Sequence, residues 1–152
     1  MNLKFIADVM LGRLAKWLRI LGLDTVYNAN YSDNEIIFIA NFEKRFVLTR
    51  DLGLFERLGN QKSLLIGSDN VYDQISQVIK ALNIEVKDNL LFSRCVICNS
   101  KLSSGSIELA EKKVPPYILQ NHRDFKYCKM CNKFFWQGTH IDRIICKIKE
   151  LY

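Results

Sequence analysis

Two groups of side chains in this sequence have the types and spacing to do chemistry. The first is Cys95-Val96-Ile97-Cys98 and Cys128-Lys129-Met130-Cys131, two Cys-x2-Cys pairs separated by 29 residues. Four thiolates in two such knuckles suit tetrahedral zinc. Asn99 and Asn132 follow the pairs. The residue after a knuckle cysteine often needs a left-handed backbone, which Asn tolerates better than most side chains. A site closed by Cys95, Cys98, Cys128 and Cys131 has no open position for water, so its zinc would be structural. His122 and His140 are possible ligands, but four cysteines already fill the site. Cys146 stands alone on an apolar helix face and is expected in the core.

The second group is acidic. Asp8, Asp51 and Asp69 each follow a short apolar run that reads as a buried strand, and Asp33 and Glu35 open a helical segment. In a parallel sheet the C-terminal strand ends share one edge, and ligands bind there. Carboxylates gathered at such an edge suit Mg²⁺ or Mn²⁺, hard cations that can activate water for attack on phosphate. Each acid also has a structural role open to it. Asp8 and Asp69 could cap helices. Asp33 favours the positive end of its helix. Glu35 completes a capping box with Ser32. Asp51, directly behind a strand in Thr-Arg-Asp, is the hardest to reduce to structure. Arg13 and Arg50 would supply positive charge for a phosphate, or pair with these acids. There is no Gly-rich phosphate loop and no Ser-His-Asp arrangement.

The elements that must position these groups follow from periodicity. Leu3–Ala7 is a strand, and Leu11, Leu14, Ala15, Leu18 and Leu21 then form one helical stripe. Arg13, Lys16 and Arg19 lie along another side, a basic face that could meet phosphate, and Gly22 is the C-terminal cap. Further strands are expected at 24–27, 45–49 and 63–67, with helices from Ser32 to about Phe42, over Leu54–Leu58, and from about Val71 to Leu82. This alternation argues for a parallel sheet with helices on its faces. The second part has a hairpin-like Ser103–Ser106, a break at Pro115-Pro116, and a basic amphipathic helix from about Ile141 to Leu151.

The chain has 152 residues and a formal net charge of +6. Residues 1–92 hold 11 Lys/Arg and 11 Asp/Glu, whereas residues 93–152 hold 11 and 5, so the second part carries the whole excess. A basic segment of this kind suits a polyanion such as nucleic acid. No apolar run approaches the ~18 residues of a membrane helix. Asp8 interrupts the first apolar run, so no signal peptide is expected. A cytoplasmic location follows, where paired cysteines point to metal rather than to disulfides.

Several stretches resemble one family. Phe5-Ile6-Ala7-Asp8, Leu11-Gly12-Arg13-Leu14-Ala15, Trp17-Leu18-Arg19 and Leu21-Gly22 are similar to its first motif. Ser32-Asp33-x-Glu35-Ile36 and Leu48-Thr49-Arg50-Asp51-x-Gly53-Leu54 are similar to the next two. Phe92-Ser93-Arg94-Cys95-x-x-Cys98-Asn99 and Trp136-x-Gly138-Thr139-His140 match its zinc part. The family is the Mut-seven C-terminal RNase domain. The resemblance implies a PIN-like α/β nuclease domain at residues 1–92, a zinc ribbon at 93–152, and metal-dependent cleavage of RNA. Asp8, Asp33 and Asp51 would be its acidic site residues, joined by Glu35 and Asp69. Arg13 and Arg50 would steady the phosphate, and Lys129, Lys133, Phe134 and Trp136 of the ribbon would contact the strand. The alternative is a non-catalytic RNA-binding or protein-binding module on an inactive nuclease fold.

Overall fold

Strands and helices alternate through the first half as the patterning predicts. The structure, a computed structural model, describes residues 3–150. Strand β1 (Phe5–Ala7) leads through a 3-10 turn (Val9–Leu11) into helix α1 (Gly12–Ile20). Then come β2 (Thr25–Val26), α2 (Asp33–Glu43), β3 (Phe46–Thr49), α3 (Leu52–Leu58), β4 (Ser63–Leu65) and α4 (Val71–Ala81). The four strands pair in parallel in the order β2-β1-β3-β4.

Both faces of the sheet are covered. Phe5 and Ala7 point to one side, where Leu14 and Leu18 of α1 and Ile75, Val78 and Ile79 of α4 are buried. Ile6 and Val47 point to the other, against Ile36 and Ala40 of α2 and Leu54 of α3. The predicted stripe of Leu11, Leu14, Ala15, Leu18 and Leu21 is buried throughout. Each leucine in it contributes roughly 1.5–3 kcal/mol relative to exposure. Gly22 ends α1 with φ +84°, and a Cβ there would meet the Leu90 carbonyl oxygen at 2.2 Å. Only glycine satisfies both conditions.

The second part departs from its expected outline. Ser103 and Ser104 form β5, which pairs with β6 (Lys126–Cys128) rather than closing a local hairpin. Strand β6 turns through the second knuckle into β7 (Lys133–Phe135), giving a three-stranded antiparallel sheet. Between β5 and β6 lie two helices that periodicity does not reveal, α5 (Ile107–Lys113) and α6 (Pro116–Asn121). They account for the long spacing between the cysteine pairs. Pro115-Pro116 is the joint between them, with Pro116 at the first helical position.

Helix α7 (Thr139–Lys149) ends the described chain; Leu151, the expected end of this helix, lies outside the described residues. Ile144 and Ile148 of α7 are buried in the same core as α1 and α4. Cys146, expected in that core, is exposed instead, because the buried face of α7 runs through Ile144, Ile145 and Ile148.

Candidate active site and metal centre

The strand order places a topological switch point between β1 and β3: the chain leaves β1 toward β2 on one side and returns to β3 on the other. Crevices at such points are where open α/β sheets bind ligands. Asp8 stands there, directly after β1. It is only 2% exposed. Its backbone N–H donates to the Leu48 carbonyl, continuing the ladder by one residue. One carboxylate oxygen accepts the Val9 N–H at 2.7 Å, and the other accepts the Thr49 hydroxyl at 2.6 Å. The same Thr49 oxygen accepts the Asp51 N–H at 2.9 Å. Thr49 therefore links the Asp8 carboxylate to the backbone of Asp51 across the crevice. Asp51 is the N-cap of α3, accepting the Leu54 N–H at 2.8 Å.

The remaining acids are placed less closely. Asp33 opens α2 and lies 3.9 Å from the Arg57 guanidinium, both about half exposed. Glu35 fills its capping box, accepting the Ser32 N–H at 2.7 Å and hydroxyl at 2.9 Å. The Ser32 hydrogen bonds hold its carboxyl below the ordinary value. Asp69 is exposed beyond edge strand β4. It does not take the capping role open to it on α4; Asn70 does, accepting the Tyr72 and Asp73 N–H groups. Among the described residues, only the four cysteines form a group of three or more acid, thiol or imidazole side chains with their ligand atoms within 4.8 Å of one another. Asp8, Asp33 and Asp51 share an edge without forming so tight a group.

Those cysteines meet the geometry expected of them. The Sγ atoms of Cys95 and Cys131 lie 3.9 Å apart and those of Cys98 and Cys128 3.5 Å apart. A tetrahedral ion with Zn–S bonds of about 2.3 Å requires S···S edges of about 3.8 Å. The Ile97 N–H points at Cys95 Sγ and the Cys131 N–H at Cys128 Sγ, so the backbone already supports thiolate charge. Burial pushes the Cys98 thiol up, but the Ser100 hydroxyl and amide, with Cys128 and Cys131, outweigh it and bring it down to about 6. Cys131, hydrogen-bonded to Cys98, is pushed up to about 12. The four cysteines can thus hold a metal ion such as zinc. Asn99 and Asn132 have φ of 69° and 52°, the left-handed conformations expected after each knuckle.

A family model described as the Mut7-C RNAse domain matches residues 3–148, nearly the whole chain. The chain belongs to this family. No curated protein matches it.

In this Mut7-C domain the basic residues divide by role. Arg13, at the start of α1, and Arg50, directly after β3, are exposed at the acidic edge, and Lys16 is exposed farther along α1. Arg19 is not part of that face. It is 5% exposed, and its guanidinium donates to the Thr25 carbonyl at 2.9 Å and to the Val96 and Ile97 carbonyls at 2.9 and 3.1 Å. Burial lowers its pKa, partly offset by Cys95, Cys98 and Asp24. A cation expected on the phosphate-facing side of α1 thus fixes the first knuckle to the sheet. Asn99 makes a second tie, accepting the Thr25 N–H at 3.0 Å and donating to Asp24 at 2.8 Å. Of the ribbon residues expected to touch a strand, Lys129 and Lys133 are exposed. Trp136 is half-buried against Phe125, and Phe134 is buried in the ribbon's own core.

Thr49 is the site residue that sequence reasoning passes over. Its one signal is a polar β-branched residue ending an otherwise apolar strand just before Arg50-Asp51. The Leu11-Gly12-Arg13 stretch also has a structural reason. The Tyr27 ring lies over the start of α1, its hydroxyl donating to the Val9 carbonyl at 2.8 Å, and a Cβ on Gly12 would meet that hydroxyl oxygen at 2.8 Å.

Proposed function

We propose that this Mut7-C domain is a metal-dependent endoribonuclease whose acidic site is Asp8, Asp33 and Asp51 at the C-terminal edge of the sheet. The observation that carries the reading is the link from the Asp8 carboxylate through Thr49 to the Asp51 backbone across the switch point. The donors suit Mg²⁺ or Mn²⁺. A carboxylate offers about four lone-pair sites, and each Asp8 oxygen has one hydrogen bond given to it, so both retain capacity. Asp51 and Asp33 face solvent. A divalent ion held there would supply an activated water and neutralise phosphate charge. The chain's own residues do the rest. Thr49 fixes the Asp8 carboxylate and the Asp51 backbone in register. Arg13 and Arg50 would hold the scissile phosphate. Glu35 serves as a helix cap, and Asp69 is an outlying acid that would bear on the entering strand. Zn²⁺ on the four cysteines is structural. Residues 1–92 and 93–152 act as nuclease part and ribbon, with Lys129, Lys133 and Trp136 on the ribbon side of the strand, and the setting is the cytoplasm. No described helix is long and apolar enough to cross a membrane.

The second reading, a non-catalytic RNA-binding or protein-binding module, draws on the hydrogen bonds that already occupy Asp8 and Asp51 as caps. Cleavage of single-stranded RNA with Mn²⁺ separates the two. The nuclease reading expects cleavage by the native chain and none by Asp8→Asn. Equal, background-level cleavage by both supports the binding module.

A further inference from the structure

Helix α2 is apolar on more faces than the sheet can bury. Ile36 and Ala40 pack inward, yet Phe38 and Phe42, one turn apart, are 67% and 77% exposed. Their rings stack on each other at 5.9 Å with 7° between planes. An exposed parallel aromatic pair leaves two flat outer surfaces in water. Cations from outside the helix reach its two ends: Arg57 donates to Asn34 at 2.8 Å, and Lys62 to Asn41 at 3.3 Å.

The end of α2 away from the acidic edge opens onto a cavity of about 350 Å³. Its walls include Ala40, Phe46 and Leu58, its polar lining includes Lys4, Lys44 and Lys62, and no carboxylate lines it. None of these three lysines has an ion-pair partner among the described residues. Arg45, also there, is taken by Asp24 and Glu43. A pocket with three cations that no carboxylate neutralises and an apolar wall suits a phosphate that carries a flat group.

We propose that α2 is the track for single-stranded RNA: bases stack on Phe38 and Phe42, and a downstream phosphate enters the Lys4–Lys44–Lys62 pocket. Asp33 begins this helix, so the acidic edge and the lysine pocket lie at its two ends, about 16 Å apart for 11 residues. Base stacking on aromatics with phosphates on neighbouring cations is the general mode for single strands. The inference rests on the RNA part of the proposed function and moves the main contact from the ribbon, whose aromatics serve its own core, to α2.

The test is fluorescence anisotropy of a labelled oligouridine on the full-length, zinc-loaded chain, without added divalent ion and across a salt series. Phe38→Ala with Phe42→Ala is expected to weaken binding about thirtyfold or more, the low end for removing two stacking partners. Lys4→Gln with Lys62→Gln is expected to flatten the slope of log K against log salt by about 0.7, the value for the one pocket phosphate no longer neutralised. All four side chains are outside the core, and unchanged melting temperatures check that the variants fold. Unchanged affinity of the aromatic variant overturns the proposal. So does a native chain that sediments as a dimer while the aromatic variant is a monomer with full RNA affinity, because a second copy then covers the face. Binding needs no cleavage, so the two readings fail separately. Weakened binding without any cleavage keeps the track and removes the nuclease. Cleavage with unchanged binding by the aromatic variant does the reverse.

Discussion

Replacing Arg19 with Met removes a buried charge while keeping most of the volume of its stem. Three carbonyl oxygens, on Thr25, Val96 and Ile97, lose their donor. A stranded buried acceptor costs about 1–3 kcal/mol; the Thr25 acceptor is buried and those of Val96 and Ile97 are part-buried, so the gross loss is about 3–6 kcal/mol. Against it stands the desolvation of the guanidinium, several kcal/mol for a buried ion, which the variant no longer bears. A net cost of about 1–3 kcal/mol follows from these two effects. For a chain of this size each kcal/mol moves the melting temperature by about 2–4 °C, so a fall of about 2–12 °C is expected. A second readout belongs to the metal. Arg19 lies near Cys95 and Cys98 and favours their charged forms, as they favour its own. Its loss should speed zinc release to a chromogenic chelator. Melting within about 2 °C of native, together with native release kinetics, would refute the claim that Arg19 joins knuckle to sheet.

Three further outcomes follow from the same part of the molecule. Asn99→Gly keeps the left-handed backbone but loses the bonds to Thr25 and Asp24; Asn99→Ala should be less stable still, by about 1–2 kcal/mol for a Cβ in that conformation, measured by urea unfolding. Asp24 gives a pH signature. Burial pushes its carboxyl up, but hydrogen bonds from Asn99 and Arg45 and the charges of Arg45 and Arg94 outweigh this and hold it below the ordinary value. A depressed pKa contributes stability above the unfolded carboxylate value, lost as pH falls through the folded one. Asp24→Asn should therefore flatten the difference in stability between neutral and acidic solution, read by thermal melts across that range. Chelation should release amide protection over residues 95–135 while α7 stays protected, because Ile144 and Ile148 belong to the sheet's core; hydrogen exchange with and without chelator checks this.

The sheet is legible in the sequence because its strands and helices bury one face at regular spacing. Leu11 through Leu21 and Ile36 show that pattern plainly. The cysteine site is legible because ligand spacing is local. What escapes are roles decided by long-range contacts. Arg19 has the spacing of a surface cation, and only the arrival of Val96 and Ile97 makes it an interior anchor. Cys146 sits among isoleucines in sequence, but the core takes the neighbouring positions of α7. Helices α5 and α6 are seven and six residues long, too short for a periodic signal, and α5 depends on Ala110 packing with Val114 on Phe125 and Phe134. Phe38 and Phe42 belong to the apolar run of α2 in sequence and stand in solvent.

The central claim is that the acidic edge does chemistry rather than capping. Asp51 allows the two to be separated, because Asn caps a helix as well as Asp does but lacks the charge a divalent ion needs. The measurement is Mn²⁺-dependent cleavage of single-stranded RNA by Asp51→Asn and Asp51→Ala, beside their melting temperatures. The account predicts that Asp51→Asn melts like the native chain and cleaves nothing, while Asp51→Ala cleaves nothing and loses about 1 kcal/mol with its cap. Cleavage by Asp51→Asn at the native rate would contradict it.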